Sequence, residues 1–220
     1  MGRIITVDGP AGSGKSTISR MLAEKIRFIY LDTGAMYRAV ALAAVRSGIH
    51  LADAKRLGDL CRSLDLHFEA SRDTPRLFMR HEDISSIIRN PEMDLGASSV
   101  SAVKEVREAM SDLQRKMVQG RDVVAEGRDM GTVVFPEADY KFFLTASAEV
   151  RAERRYRERR ARGENVSREA VLESLQQRDF QDETRALAPL KPADDAIIID
   201  STGFSIAQVL DKILACLDRK

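Results

Sequence analysis

One glycine-rich segment near the start of the chain has the residue types and spacing of a loop that holds phosphate groups. It reads Gly9-Pro10-Ala11-Gly12-Ser13-Gly14-Lys15-Ser16, which matches the pattern G-x-x-x-x-G-K-[ST]. Glycines let successive backbone N–H groups point at phosphate oxygens, and the positive end of a following helix adds to the attraction. Lys15 supplies a mobile charge for the β- and γ-phosphates, and the Ser16 hydroxyl can ligate Mg²⁺. The segment therefore predicts a site for a nucleoside triphosphate with Mg²⁺, but it does not identify the reaction.

The residues around this segment predict the structural context that such a loop needs. Residues 3–8 form a short, β-branched and apolar run that is typical of a strand. After the loop, Ile18, Met21, Leu22 and Ile26 share one face of a helix. The loop is therefore expected to connect a strand to a helix.

Four more short apolar runs occur along the chain, each bounded by polar or turn residues. They are residues 28–31, 123–125, 142–144 and 197–199. Helical patterns lie between them, and fully apolar strands that alternate with helices indicate a parallel sheet covered on both faces. We predict a doubly wound α/β fold with five parallel strands.

Residues 65–83 depart from this alternation. Two short runs, Leu66-His67-Phe68-Glu69 and Arg76-Leu77-Phe78-Met79-Arg80, lie on either side of a polar turn with Pro75. This pattern predicts an antiparallel hairpin. We therefore expect an inserted lobe outside the parallel sheet.

Charged residues directly follow the third predicted strand of the sheet, at Glu126, Arg128 and Asp129. An acid in this position near a phosphate loop commonly belongs to the Mg²⁺ shell, so Glu126 is predicted to act there, reached through a water. Arg128 and Asp129 would emerge at the carboxyl edge of the sheet, where open α/β folds bind ligands. An ordinary surface turn is the alternative.

Two further groups of residues could bind a second anionic substrate. Tyr37 and Arg38 project from the first turns of a helix that Asp32 or Thr33 would cap. A packed aromatic ring and a solvated charge are the alternative for this pair.

Further along, Arg178, Asp182 and Arg185 are spaced i, i+4 and i+7, and therefore line one helical face. A salt-bridged solvent face is the alternative for this group.

Residues 151–162 contain seven arginines and only two glutamates, Glu153 and Glu158. The formal net charge of the chain is +1, so no general nucleic-acid or membrane partner is implied. A kinase of small molecules must neutralise two anionic substrates at once, and this local excess predicts a helical clamp that closes on phosphates. Ion pairing on a solvated helix is the alternative.

The rest of the sequence restricts the class of protein. It contains no Asn-Lys-x-Asp motif for reading guanine, no secretory signal pattern and no apolar run of about 20 residues. Cys61 and Cys216 match no metal or redox spacing and are expected to be reduced thiols. We expect a cytoplasmic, monomeric enzyme with small-molecule substrates.

The order of five tracts gives a specific resemblance. VDGPAGSGKST, LDTGAMYRA, EGRDMGTVVFP, TRALAPL and IIIDST occur in this order, and together they resemble bacterial cytidylate kinases over essentially the whole chain. The resemblance implies a P-loop kinase fold, ATP and Mg²⁺, and transfer of the γ-phosphoryl group to CMP or dCMP, giving CDP or dCDP.

The resemblance also implies roles for individual residues. The donor nucleotide would be held by the phosphate loop through Thr17 and by Ser201 and Thr202 beside the adenine. The acceptor phosphate would be surrounded by Tyr37, Arg38, Arg128 and Arg185. The pyrimidine would face Ser98, Arg107 and Asp129, and the ribose would face Arg178 and Asp182. The groups assigned to catalysis are Lys15, Arg128, Arg154 and Arg155, the last two on the arginine-rich lid.

We expect three parts within one domain. These are a core of about 1–34, 119–148 and 186–220, a monophosphate-binding lobe of about 35–118, and a lid of about 149–185.

One alternative function is another nucleoside monophosphate or small-metabolite kinase, which the EGRDMG tract and the hairpin disfavour. The other is a nucleotide-binding regulator without turnover, which would have no need of an acceptor site.

Overall fold

A computed structural model describes residues 2–69, 71 and 75–217. The chain forms two compact units, the first with residues 1–2 and 31–121 and the second with residues 3–30 and 122–220. The predicted division into core, lobe and lid is a finer one and stays a prediction.

The described residues form eight strands and eight α-helices, which we number in chain order. The strands are β1 (Ile4–Asp8), β2 (Ile29–Asp32), β3 (Leu66–Glu69), β4 (Arg76–Met79), β5 (Glu82–Asp83), β6 (Val123–Gly127), β7 (Tyr140–Thr145) and β8 (Ile197–Asp200). The helices are α1 (Lys15–Ile26), α2 (Thr33–Arg46), α3 (Ala54–Ser63), α4 (Pro91–Ser101), α5 (Lys104–Met117), α6 (Ala148–Ala161), α7 (Arg168–Thr184) and α8 (Ile206–Leu217). A short π-helical turn, Met130–Val134, follows β6.

The main sheet has five parallel strands in the order β2-β6-β1-β7-β8. Each of the five predicted strands is present, and the predicted doubly wound α/β class is confirmed. Strand β1 lies at the centre, with Ile5 opposite Val124 on one side and Tyr140 on the other. The loop after β1 therefore begins in the middle of the carboxyl edge of the sheet.

Apolar side chains from strands and helices form the core of the second unit. Val7 of β1 and Leu22 of α1 are fully buried, and they belong to one cluster with Phe142 of β7 and Ile213 of α8. Burying each such side chain stabilises the fold by roughly 1.5–3 kcal/mol relative to exposure. Strand β1 and helix α1 are thus held firmly on either side of the phosphate loop.

The first unit contains four helices and the predicted hairpin. Strands β3 and β4 pair antiparallel with Leu66 opposite Met79, and the short strand β5, which the sequence did not predict, continues the sheet. Most of the predicted polar turn between β3 and β4 lies outside the described residues. Of the two candidate caps of α2, the structure selects Asp32, whose carboxylate accepts a hydrogen bond from the Ala35 N–H at 2.8 Å.

Helices α6 and α7 pack against one another in the second unit. Their contact includes Ala152, Val171 and Leu175, which bury Ala11 of the phosphate loop. Within the part of the chain that the structure describes, no helix combines the length and apolar character needed to cross a bilayer.

Candidate functional site

Two glycines of the phosphate loop are required by its close contacts. Gly9 has φ +150°, and a Cβ there would lie 2.0 Å from the carbonyl oxygen of Leu144. Gly12 has φ +76°, and a Cβ there would lie 3.0 Å from the carbonyl oxygen of Arg151. Larger residues would need both a strained backbone and a shift of neighbouring backbone atoms. The loop therefore has the tight curvature that the sequence pattern predicts.

Lys15 begins α1 and is buried, with 7% of its surface exposed. Its Nζ donates a hydrogen bond to the carbonyl oxygen of Pro10 at 3.0 Å. Burial, with the positive charge of Arg128, lowers the pKa of Lys15 to about 7, although Glu126 opposes the shift. An anionic phosphate beside this amine would restore its charged form.

Ser16 and Glu126 are the residues predicted to serve a magnesium ion. The Ser16 side chain is exposed, whereas Glu126 is buried in β6 and accepts a hydrogen bond from the Tyr30 hydroxyl at 2.6 Å. Among the described residues no group of three or more His, Cys, Asp or Glu side chains could hold a metal by itself. This donor set fits Mg²⁺, which usually keeps several waters and binds through one or two protein oxygens plus substrate phosphates.

Charged side chains near the carboxyl edge of the sheet form a connected cluster in the second unit. Arg128 Nε donates to the carboxylate of Asp182 at 2.8 Å. Arg185 lies 3.8 Å from the carboxylate of Asp182 and 3.7 Å from that of Asp129. We call this set, together with Lys15 and Glu126, the inner charge group.

The inner charge group is shielded from solvent. Only 5% of the Asp182 side chain, 7% of that of Arg185 and 16% of that of Arg128 is exposed. Burial alone would raise the pKa of Asp182, but the arginines led by Arg128 outweigh it and lower this pKa. Burial likewise opposes the charge of Arg128, and the carboxylates led by Asp182 outweigh it and raise its pKa. The alternative of a solvated, salt-bridged face is therefore wrong for Asp182 and Arg185.

The predicted helical spacing of these residues needs one adjustment. Asp182 lies in α7, as Arg178 does, whereas Arg185 follows the last helical residue and has an extended backbone. Arg178 is half-buried and interacts electrostatically with both Lys15 and Asp182. Leaving the helix at Arg185 brings this side chain within 3.7 Å of Asp129.

Asp8 is a buried residue of the site region that the sequence analysis missed. Its two carboxylate oxygens accept hydrogen bonds from the backbone N–H groups of Met130 at 2.9 Å and Gly131 at 2.8 Å. Burial raises the pKa of Asp8 to about 7. These contacts fix the backbone that follows Asp129. The available signal was a carboxylate at the end of a short, mostly apolar strand, directly before the loop.

The first unit contains the other residues predicted to bind the acceptor. Tyr37 is buried in α2, while Arg38 lies 3.4 Å from the carboxylate of Asp32 and 3.6 Å from that of Asp94. The alternative of a solvated charge is therefore wrong for Arg38, since only 15% of its side chain is exposed.

Arg107 and Ser98, predicted to face the pyrimidine, are also in the first unit. Arg107 is buried, donates to the carbonyl oxygen of Ser101 at 3.2 Å, and lies with its guanidinium carbon 5.8 Å from the ring centre of Tyr37. The Ser101 hydroxyl donates to the carbonyl oxygen of Ser98 at 2.8 Å. The ring of Tyr37 and the end of α4 therefore hold the guanidinium in place.

The arginines of α6 divide into two sets. Arg151 and Arg154, nearest the start of the helix, contact backbone atoms of the phosphate loop; Arg154 donates to the Ser13 carbonyl oxygen at 3.2 Å and to the Ser201 carbonyl oxygen at 2.8 Å. The remaining set, which we call the outer arginines, comprises Arg155, Arg157, Arg159, Arg160 and Arg162. Arg155, Arg157, Arg159 and Arg162 each form an ion pair with a glutamate, as the alternative reading of the helix expected.

The two residues predicted beside the adenine follow β8. Ser201 is buried and donates to the carbonyl oxygen of Ser13 at 3.2 Å. Thr202 is exposed, and its hydroxyl oxygen accepts a hydrogen bond from the Ser147 N–H at 2.9 Å. The loop after β8 is therefore joined both to the phosphate loop and to the N-terminus of α6.

Solved structures of similar architecture support the fold alone. An uncharacterised protein from Eubacterium ventriosum has a TM-score of 0.55 at 12% identity, covering 99% of each chain. A gluconokinase from Sinorhizobium meliloti has a TM-score of 0.50 at 16% identity, covering 99% of this chain and 92% of that one.

Curated relatives are much closer in sequence. The cytidylate kinase of Citrifermentans bemidjiense is 50% identical over 210 residues, which is 96% of this chain and 90% of that protein. The cytidylate kinase of Carboxydothermus hydrogenoformans is 45% identical, over 98% of this chain and 97% of that protein. The cytidylate kinase of Vibrio cholerae is 44% identical, over 99% of this chain and 96% of that protein. A family model described as cytidylate kinase matches residues 5–219, and on these grounds the chain belongs to the cytidylate kinase family.

Proposed function

We propose that this chain transfers the γ-phosphoryl group of ATP to CMP or dCMP, which gives ADP and CDP or dCDP. The observation that carries the proposal is the inner charge group, within which Arg128 and Asp182 interact electrostatically with Lys15 of the phosphate loop, in a chain of this family. Burying Lys15, Arg128 and Arg185 in one place is costly even with the carboxylates of Glu126, Asp129 and Asp182 beside them, and bound anions would add favourable contacts for the basic side chains. Two phosphate-bearing substrates would supply such anions.

The reaction needs electrostatic stabilisation more than proton transfer. An oxygen of the acceptor phosphate is the nucleophile, and it is largely deprotonated at neutral pH because the second phosphate pKa is about 6. No general base is therefore required. Lys15 and Arg128 would stabilise the charge on the transferring group, since arginine holds phosphate oxygens in fixed directions and stays charged.

Mg²⁺ would neutralise charge on the β- and γ-phosphates when bound. Ser16 would contribute its hydroxyl, and Glu126 would act through a water. The Tyr30 hydroxyl donates to one oxygen of Glu126 at 2.6 Å and would fix the orientation of this carboxylate beside the ion.

The substrate contacts are proposed as the resemblance implies them. For the acceptor, Tyr37, Arg38, Arg128 and Arg185 would hold the phosphate, Arg178 and Asp182 the ribose, and Ser98, Arg107 and Asp129 the base. For the donor, Gly9 to Thr17, Ser201 and Thr202 would hold ATP, with Arg154 and Arg155 as lid arginines. We propose the same division into core, lobe and lid as above, and a cytoplasmic monomer.

Base choice follows from hydrogen-bond pattern. Cytosine presents an amino donor that the Asp129 carboxylate can accept, and a ring nitrogen to which Arg107 can donate. Uracil presents a carbonyl and an N–H in these places, which leaves buried groups mismatched at a cost of several kcal/mol. CMP and dCMP should be good acceptors, UMP poor, and AMP and GMP negligible.

A steady-state panel of these five acceptors with wild type and Asp129→Ala tests the proposal. We expect the variant to lose CMP efficiency and to show a smaller CMP-to-UMP ratio. Because Asp129 also lies 3.7 Å from Arg185, Asp129→Asn serves as a control that keeps the shape. An equal loss for both acceptors would make Asp129 a support for Arg185, and ADP release that ignores added CMP would contradict the kinase itself.

A further inference from the structure

Arg151 stands apart from the other arginines of α6 because it is buried, with 8% of its surface exposed. Its guanidinium makes contacts in three directions. Nε donates to the carbonyl oxygen of Ala146 at 3.0 Å, Nη1 donates to the carbonyl oxygen of Ala11 at 3.1 Å, and Nη1 also pairs with the carboxylate of Asp179 on α7. One side chain thus joins the start of α6, the phosphate loop and α7.

The backbone and the apolar side chains support the same junction. The carbonyl oxygen and Cβ of Arg151 would lie 3.0 and 3.1 Å from a Cβ at Gly12. The methyl group of Ala11 is buried among Ala152, Val171 and Leu175. Residues 11 and 12 are therefore held against both helices by packing as well as by hydrogen bonds.

The hold on the Ala11 carbonyl has a direct effect on the phosphate site. In a planar trans peptide the C=O and the following N–H point in opposite directions. Fixing the Ala11 oxygen against Arg151 therefore turns the N–H of Gly12 away from the helices. Arg154 acts in the same way on the peptide between Ser13 and Gly14. Its hydrogen bond to the Ser13 carbonyl oxygen at 3.2 Å fixes the direction of the Gly14 N–H.

The cost of the contact argues for a positioning role. Burying an arginine and an aspartate removes both from water, and such pairs commonly stabilise a fold no better than apolar residues of similar volume. A guanidinium that bonds two carbonyls and one carboxylate in fixed directions gives what an apolar side chain cannot, namely a defined peptide orientation.

We propose that Arg151, held by Asp179, is a positioning residue that orients the Gly12 N–H toward the phosphates of the donor nucleotide. The inference rests on the proposed function because that function identifies ATP as the donor nucleotide. It does not depend on which acceptor the protein uses. Through this contact Arg151 of α6 and Asp179 of α7 would act on the donor site by way of the loop backbone, without touching the reacting atoms themselves.

The experiment compares Arg151→Met, Arg151→Lys and Asp179→Asn with wild type, with Arg157→Met as the matched control, because the Arg157 side chain on the same helix is 76% exposed. ATP and ADP affinities are measured by calorimetry without acceptor, and CMP affinity is measured separately. We expect Arg151→Met to weaken ATP and ADP binding about tenfold, near the lower end of the contribution of one hydrogen bond to a charged group, with CMP affinity changed less than twofold. Asp179→Asn should shift the donor affinity in the same direction, and adding it to Arg151→Met should cause no further loss.

The amide signal of Gly12 gives a second readout that a merely structural role would not move. In wild type, ADP should shift its ¹H resonance downfield, and in Arg151→Met this shift should be reduced while the spectrum of the sheet stays unchanged. If Arg151→Met does not yield folded protein, Asp179→Asn carries the same test.

Two outcomes would overturn the proposal. Equal losses of donor and CMP affinity would assign the pair to general stability. Loss in Arg151→Met with wild-type behaviour of Asp179→Asn would make Arg151 a direct ligand of the nucleotide. Because donor binding is measured without acceptor, failure of CMP as a substrate would contradict the proposed function and leave this test intact.

Discussion

The inner charge group and the outer arginines of α6 hold charge in opposite ways. In the inner group, Arg128 and Asp182 form a 2.8 Å contact with 16% and 5% of their side chains exposed. Among the outer arginines, Arg157 pairs with Glu153 at 2.7 Å with 76% and 30% exposed. The contact distances are alike, whereas the exposure to water differs severalfold.

This difference separates functional charge from surface charge. An exposed ion pair stabilises by about 0–1 kcal/mol, whereas a buried one requires the removal of two charges from water, at a cost of several kcal/mol each. A chain that keeps Lys15, Arg128 and Arg185 together under these conditions does so for something other than stability. The sequence shows only that arginines are numerous. Their burial in the structure shows for which of them the removal of charge from water is costly.

The largest expected effect comes from removing the lysine of the inner group. Lys15→Ala should lower phosphoryl transfer by about 10³-fold or more, because Lys15 is proposed to neutralise the transferring phosphoryl group. The protein should stay folded, since the change removes a buried charge whose pKa already lies near 7. Steady-state rates and thermal unfolding measure the two effects, and unchanged turnover would refute the assignment of this loop.

Arginines proposed for the acceptor phosphate should have the next largest effect. Arg185→Ala and Arg38→Ala should each raise the KM for CMP by roughly 10–100-fold, the value of a hydrogen bond to a charged group, while ATP affinity changes less than threefold. Because each substitution also removes a partner of buried or half-buried carboxylates, Arg185→Lys and Arg38→Lys serve as controls that keep the charge. If calorimetry shows ATP affinity falling as far as CMP affinity, these residues belong to the donor site or to the fold.

The uptake of a proton by Lys15 when ATP binds gives a third test of the inner charge group, and it does not depend on the reaction rate. Burial lowers the pKa of Lys15 to about 7, so at pH 8 only about a tenth of the free protein carries this charge. ATP should restore the charge, and binding at pH 8 should take up nearly one proton. At pH 6 the lysine is already charged, and the uptake should be small.

Calorimetry in buffers of different ionisation enthalpy measures this uptake, with Lys15→Met as the control for protons exchanged by ATP itself. The same pKa makes the lysine contribute to stability with a definite sign. Since the folded pKa lies below the ordinary value, its contribution increases as the pH rises from about 7 to about 10.5 and is lost as the pH falls through 7. Equal uptake in wild type and variant would show that Lys15 is already charged in the free protein.

The strands of the main sheet could be predicted from the sequence because each one is marked by the apolar residues within its own segment. Each strand of the main sheet contains a short apolar run, and the burial of β1 and β6 inside the sheet requires that composition. The edge strand β8 is apolar as well, although most of it is exposed. Strand β5, with only Glu82 and Asp83, has no apolar pattern and forms because β4 offers a neighbouring edge. Such an element depends on pairing with another strand and leaves no trace in its own residues.

The site was predictable by residue type and less so by partner. The phosphate loop and the charged residues after β6 stood out in the sequence, whereas the partners of Asp8 and Arg151 are 122 and 140 residues away along the chain. Spacing rules act over one or two helical turns and cannot report contacts of that length. The arginine-rich stretch illustrates the consequence, because its first member turned out to contact the phosphate loop rather than solvent.

The smallest expected effects come from substitutions of the outer arginines, and they should differ between Arg155 and Arg157. Arg155 and Arg157 each pair with a glutamate on α6, but 27% of the Arg155 side chain is exposed against 76% of that of Arg157. If α6 closes on ATP as proposed, Arg155 must exchange Glu158 for a phosphate, and Arg155→Ala should lower kcat about tenfold. Arg157→Ala should change kcat less than twofold and the free energy of unfolding by no more than about 0.5 kcal/mol, because an exposed pair contributes little. Steady-state kinetics of the two variants at low and high salt measures the difference, since a phosphate contact in a closed site is screened less than a surface pair. Identical, small effects of both substitutions would mean that the outer arginines only keep the helix solvated, and that the phosphate-directed part of α6 ends at Arg154.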